Sequence, residues 1–261
     1  MGDGITYYNI VLKGKQLKSF QLNVGRKLFA IFFRGLTNKY WLICTGMTIL
    51  VYILMGATSG TIVYYAEHVA GNLDLQGSVT SIYTVSMLVA LLVTIAFIIG
   101  RLGKRNTIIL GMFIAVVGYF FPVITHTPFM LHVGGVLRGV GFGIASVPTG
   151  SILQDTLTYG FWRDGFLAVG MGNAAASFGN KLGTALGTAI LGWVLQLGGF
   201  VSDAATQSAS AISSITFMFA IFPTIVCVAI LVLSFIYDLD GAKYTKIEAA
   251  IKEGKFGENK E

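Results

Sequence analysis

The chain has 261 residues, of which 54% are hydrophobic and 11% charged, where a soluble domain averages roughly 25% charged. With a mean hydropathy of +0.74, these values argue against a soluble enzyme, a disordered protein and a nucleic-acid binder. The net charge is +6, and the basic residues lie between long apolar runs, the pattern of membrane topology signals.

Taken in chain order, residues 1–40 form a basic segment. Within it, 17–34 reads as an amphipathic helix for the membrane interface, with Leu17, Leu28, Ile31 and Phe32 on one face. A span needs about 20 apolar residues. Six candidates follow, at roughly 41–65, 79–99, 107–124, 129–152, 171–197 and 212–236. Residues 41–236 are therefore expected to be an all-α, polytopic bundle of six transmembrane helices. The tail, 237–261, predicts one short surface helix. Glycine, 33 residues of 261, suits close helix approach in a bilayer. Cys44 and Cys227 lie inside apolar runs, so no disulfide framework is expected.

Six spans put both termini on one side. Of the 18 Lys and Arg residues, 16 fall on that side, in 1–40, in the loop 100–106, at Arg163 and in the tail. The opposite side carries Glu67, Asp74 and Asp203 and no Lys or Arg. The positive-inside bias predicts that both termini are cytoplasmic.

Two cations lie inside spans. Lys181 falls about 15 Å into the fifth, near the bilayer midplane. A charge there costs at least about 2.5–3.5 kcal/mol, so such a residue is expected to face a cavity or a partner. Asn173, Ser177, Lys181, Thr184 and Thr188 follow a spacing of three to four and form one polar stripe. Gly179, Gly183 and Gly187 form a second stripe, about 200° from Lys181 measured from Gly179. One face is thus expected to pack tightly while the other lines a polar path. Arg138, in the fourth span, is read either as a substrate contact or as a structurally paired residue. With no Asp or Glu inside the expected spans, carbonyls, water or a carboxylate from another polypeptide must satisfy the two cations.

The loop GRLGKRN at 100–106 has Gly100 and Gly103 for a tight turn, and Arg101, Lys104 and Arg105 as anchors. Pro148 and Pro223 interrupt the fourth and sixth spans, where kinks would suit a moving carrier. His68, His126 and His132 are scattered, and no metal-ligand spacing, nucleophile elbow or phosphate loop occurs. The expectation is that the chain is not an enzyme and holds no metal.

The stretch 152–192 carries Asp155-Thr156, then Tyr159-Gly160, then Lys181 at 26 residues after Asp155. With the closing IYDLD at 236–240 and the KRN-type loop, it resembles the glycoside–pentoside–hexuronide:cation symporters, the melibiose-carrier family within the major facilitator superfamily. The resemblance covers the chain as a C-terminal half. It implies the second six-helix bundle of a twelve-helix carrier, with 1–40 as the central connection and an N-terminal half as partner. It implies alternating access, a small sugar bound at the midplane and a bacterial inner membrane as location. The sugar-facing positions it implies are Lys181, Ser177, Asn180 and Ser146, to which the residue reading adds Asn173 and Arg138. A cytoplasmic gating or structural group would comprise Asp155, Tyr159, Arg163, Arg101, Lys104 and Arg105.

The chain departs from the family at Phe161, Leu167 and Val169, where melibiose carriers have Glu, Arg and Glu. No cofactor is expected. A coupling cation, Na⁺, Li⁺ or H⁺, is implied by the family, with its carboxylates in the other half. The alternative is a non-transporting membrane protein, either a truncated or decayed carrier or a sugar-binding regulator.

Overall fold

The structure, a computed structural model, describes residues 37–124, 127–164, 169–202, 204, 206–239, 241–255 and 257. The amphipathic helix expected at 17–34 and His126 lie outside these residues. Every regular element described is helical: α1 (Lys39–Tyr64), α2 (Asp74–Val93), α3 (Ile99–Ile124), α4 (Pro128–Asp164), α5 (Val169–Leu197), α6 (Ala209–Thr216), α7 (Phe222–Ile236) and α8 (Ala242–Lys252). Single π-helical turns at Tyr65–Val69 and Thr94–Ile98 extend α1 and α2, and one at Phe217–Ile221 joins α6 to α7.

Four continuous segments are long and apolar enough to cross a membrane: Lys39–Val69, Asp74–Ile124, Pro128–Arg163 and Ala209–Ile236. The second holds two of the expected spans. Its 51 residues would reach about 75 Å if straight, far beyond a hydrocarbon core of about 30 Å. Gly103, at φ 74° and ψ 169°, breaks it into two helices. A residue with a Cβ is strained at that φ, so the loop needs glycine there. Helix α5 has the length of a span, 29 residues, but its polar row keeps it less apolar than the four. The chain is thus an all-α integral membrane protein.

Packing follows a crossed pattern. The first helix of each triplet packs on the second and third of the other: α1 on α5 and α7, α4 on α2 and α3. This is the arrangement expected of two three-helix repeats related by a pseudo-two-fold. Glycine ladders make the closest crossings. On α5, Gly179, Gly183 and Gly187 lie against Thr48, Ile49, Tyr52, Ile53 and Ala57 of α1. On α4, Gly135, Gly139 and Gly143 lie against Val79, Tyr83, Met87 and Ala90 of α2. Between helices in lipid the attraction is van der Waals contact, which requires such approach.

Helix α4 runs 37 residues, well past the expected end at 152. At about 1.5 Å per residue it measures about 55 Å, so its last turns project beyond the hydrocarbon. Asp155, Tyr159 and Arg163, expected in a loop, are helical. Pro148 lies inside α4 without breaking it, whereas Pro223 opens α7 directly after the π turn. The expected tail helix is α8, docked on α4 through the buried Ile247.

Candidate functional site

Three regions hold the candidate residues. The first is the polar row of α5. Ser177, Asn180, Lys181, Thr184 and Thr188 are exposed, whereas Gly179, Gly183 and Gly187 are buried against α1. The two stripes therefore occupy opposite faces, as their phase predicts. The row is loosely self-bonded: the Thr188 hydroxyl donates to the Thr184 carbonyl at 3.0 Å, and the Thr184 hydroxyl to Asn180 Oδ1 at 3.5 Å. No hydrogen bond or ion pair engages Lys181 among the described residues. Asn173 lies on the first turns of the same helix, with its side chain outside the described residues.

Ser146, half-buried on α4, donates to the Gly143 carbonyl at 2.9 Å, an ordinary intrahelical bond. Among the described residues no hydrogen bond joins it to the α5 row.

The second region surrounds Arg138, which is 6% exposed. It lines a cavity of about 270 Å³ between α1, α2, α4 and the π turn Phe217–Ile221, with Tyr119 of α3 at its back. The guanidinium carbon sits 5.2 Å from the Tyr119 ring centre and 4.9 Å from that of Phe219. Tyr65 stacks on Phe219 at 3.9 Å and fixes that ring. Arg138 Nε donates to the Gly134 carbonyl at 3.1 Å. Each desolvated cation–π contact is worth on the order of 1–2 kcal/mol. Two of them offset much of the roughly 3 kcal/mol cost of a charge at this depth.

The third region is the end of the bundle where α1 begins and α7 ends. Lys104 Nζ reaches both oxygens of Asp155, at 2.7 and 2.6 Å, and Asp155 is 3% exposed. Asp155 thus lies on the part of α4 past the expected span, paired by the basic loop. Arg105 donates to the carbonyls of Ser234 at 3.1 Å and Phe235 at 2.6 Å, which closes the open end of α7. Arg163 donates to the Thr37 carbonyl and hydroxyl at 3.1 and 3.2 Å. Asn38 caps α1 and donates to the Thr156 carbonyl at 3.4 Å. Tyr159 meets Tyr40 edge to face at 4.8 Å. Arg101 is exposed at the rim.

The tail closes this end. Lys243 donates to the Tyr40 hydroxyl oxygen at 2.7 Å and to Asp238 at 2.9 Å, and Lys39 lies 3.5 Å from Asp238. Partial burial pushes the Asp238 carboxyl up, but the Lys243 and Tyr40 hydrogen bonds and the nearby lysine charges outweigh it and hold it at about 2. The hydrogen bond to Tyr40 raises Lys243 above the ordinary lysine value, burial opposes this, and Asp238 adds to it.

Within the expected gating group the described contacts are Lys104–Asp155, Arg105 with the end of α7, and Arg163–Thr37, with Tyr159 on the Tyr40 ring. The expected sugar-facing set divides as well, between the α5 row and the Arg138 cavity. Sequence reasoning missed the cavity walls. Thr58, Ser59 and Thr80, polar residues within apolar runs, were the available signal.

Comparison with known proteins agrees with these features. A relative from Lactiplantibacillus pentosus, the isoprimeverose transporter, is 30% identical over 188 residues, covering 68% of this chain and 37% of the relative. The glucuronide carrier protein homolog of Escherichia coli K12 is 26% identical over 224 residues, covering 82% and 47%. The uncharacterized symporter YjmB of Bacillus subtilis 168 is 26% identical over 216 residues, covering 81% and 46%. The chain thus spans less than half the length of each of these relatives. Residues 20–241 match the family model described as MFS/sugar transport protein, and the chain belongs to that family.

Proposed function

We propose that this chain is the C-terminal six-helix half of a sugar:cation symporter that works by alternating access. The observation that carries the reading is the division of α5. A glycine face fixes the helix to α1, and Lys181 stands on the opposite face of a helix of bilayer length. A lysine there is tolerated where the face lines water or a polar ligand rather than lipid. In this reading Ser177, Asn180, Lys181 and Thr184 hydrogen-bond sugar hydroxyls at the midplane. The relatives' names, an isoprimeverose transporter and a glucuronide carrier homolog, support glycosides and hexuronides as the class.

The partner is an N-terminal half, which supplies the other wall of the sugar site and the carboxylates for Na⁺, Li⁺ or H⁺. The basic end of the bundle faces the cytoplasm of a bacterial inner membrane, and both termini lie there. The ties at that end, Lys104–Asp155 and Arg163–Thr37 among them, brace the helix ends that move together when the two halves rock.

The test is uptake of labelled glycosides and glucuronides by cells making the full-length gene product, with Lys181→Ala beside it at equal membrane abundance. The variant is expected to lose most of the cation-driven accumulation. Undiminished accumulation would remove Lys181 from the sugar path. Sugar binding with no uptake, even beside a complementary half, would instead make the protein a sugar-binding regulator.

A further inference from the structure

The buried apolar residues described form two clusters rather than one. The inner cluster holds Tyr40, Cys44, Leu54, Phe142, Val226 and Ile230 and reaches the basic end of the bundle through Tyr40. The outer cluster holds Ala57, Tyr65, Leu75, Leu131, Leu195 and Phe219. Helix α1 passes from one to the other between Leu54 and Ala57, and α4 between Leu131 and Phe142. In the last span the change falls between Phe219 and Val226, and Phe222 packs against both clusters. The Arg138 cavity lies on the same boundary, lined by Leu54 and Tyr119 of the inner cluster and by Val79 and Phe219 of the outer. Protein interiors leave few voids larger than a water molecule. A gap of about 270 Å³ between the clusters therefore marks a seam between two packed bodies.

The last span is built to bend at that seam. In the π turn Phe217–Ile221 the Phe222 N–H donates to the Phe217 carbonyl, five residues back, so the turn carries one residue more than an α-helical turn. Pro223 follows directly. In an unbroken α-helix its nitrogen would face the Phe219 carbonyl, to which a proline cannot donate and which its ring crowds. The π turn takes up that misfit, and the ladder is interrupted where the helix leaves one cluster for the other. Proline and π turns are the usual causes of bends in helices. The second π turn, Tyr65–Val69, meets the first: Tyr65 stacks on Phe219 at 3.9 Å, and both rings are buried. Helix α6 packs on the Tyr65–Val69 turn, and the end of α5 meets α6 at Gly198, where a Cβ would overlap the Ser214 side chain. The pieces of the outer cluster are thus fastened to one another.

We propose that the outer cluster is a cap that tilts as one body on the π turn Phe217–Ile221, with the Arg138 cavity as the seam that opens and closes beneath it. Phe219 sits at the pivot. Its ring lies against Tyr65 of the cap and 4.9 Å from the Arg138 guanidinium carbon, so tilting slides the ring across the arginine. This motion is local and distinct from the rocking of two whole halves. It rests on the carrier reading only for its purpose, closing the outer end of the path behind a sugar; the motion itself stands on the two clusters and the turn between them.

Hydrogen exchange read by mass spectrometry, on the full-length gene product in nanodiscs, follows the motion without any transport. Pro223→Ala supplies the missing donor, suits a helix and stiffens the pivot. It should slow exchange by about fivefold or more in 209–222 and equally in 65–73, while 226–236 stays unchanged. The joint slowing is the diagnostic, since repair of one helix turn alone would reach only 217–224. Phe219→Leu keeps the turn and removes the stacked ring. In that background Pro223→Ala should no longer slow 65–73. Slowing confined to the repaired turn, or no slowing in either segment, would overturn the proposal. Uptake of labelled glycosides, measured on the same proteins, separates this from the carrier reading. Joint slowing in a protein that moves no sugar would keep the cap and remove the carrier; uptake without joint slowing would do the reverse.

Discussion

The α1–α5 crossing offers the sharpest check on the physical reasoning. An ideal Cβ placed on Gly183 would lie 2.7 Å from the Ile49 carbonyl oxygen, 2.7 Å from Tyr52 Cβ and 3.1 Å from the Ile53 nitrogen. Ordinary contact begins near 3.4 Å, and two of the three obstacles are backbone. A side-chain rotation cannot relieve them, so Gly183→Ala must push the helices apart by most of an ångström. At that separation the neighbouring pairs along the crossing lose a quarter to a half of their dispersion energy. Overpacking of this kind costs about 1–3 kcal/mol, against which the better helix propensity of alanine returns somewhat under 1 kcal/mol. Gly192 is on the same helix with nothing within 4 Å of its would-be Cβ, so Gly192→Ala keeps only the propensity gain. Thermal unfolding followed with a thiol-reactive dye suits the chain, because Cys44 and Cys227 are both free and buried. For a protein of this size each kcal/mol moves Tm by roughly 2–4 °C. Gly183→Ala should therefore fall by several degrees while Gly192→Ala holds or rises. If the two substitutions move Tm alike, the crossing is not as close as described and the division of α5 into packing and polar faces fails with it.

Other consequences concern the basic end. Lys104→Ala removes the 2.6 Å contact to the buried Asp155 and should lower Tm; a Tm unchanged in the same dye assay would contradict the pairing, and Asp155→Asn beside it should recover part of the loss. The Asp238 carboxyl is held at about 2 in the folded chain, below its ordinary 3.8. A depressed carboxyl stabilises above its unfolded value and stops doing so as pH falls through the folded one. Docking of α8 should thus be full at pH 5 and weaken between about pH 4 and pH 2, read as protease cleavage near Gly241. Asp238→Asn should make cleavage independent of pH across that interval, and an unaltered pH profile would refute the assignment.

What the sequence made legible depended on local period. Gly179, Gly183 and Gly187 sit four apart, and Lys181 sits out of phase with them, so the helix could be drawn with its faces assigned before any partner was known. The same holds for Gly103, whose positive φ only a glycine supplies without strain. The end of α4 was illegible for the opposite reason. Gln154, Asp155, Thr156 and Thr158 read as a polar loop by composition. They continue a helix because their partners come from elsewhere, Lys104 from 51 residues earlier and Asn38 from 118. Hydropathy registers what a residue costs in lipid and is blind to a remote group that removes that cost.

Arg138 combines both cases. Its place in a span marks it as costly from the sequence alone. The rings that offset the cost, Tyr119 and Phe219, are 19 and 81 residues away and belong to different helices. Their stacking accounts for the survival of a charge in the bundle, since two cation–π faces reduce the cost without neutralising it. They stack on its faces, and among the described residues its Nε donates to the Gly134 carbonyl. Had stability alone been the requirement, an apolar residue of similar volume would meet it at least as well. The retained charge is thus held by two ring faces and one backbone carbonyl, at a cost the rings reduce without removing.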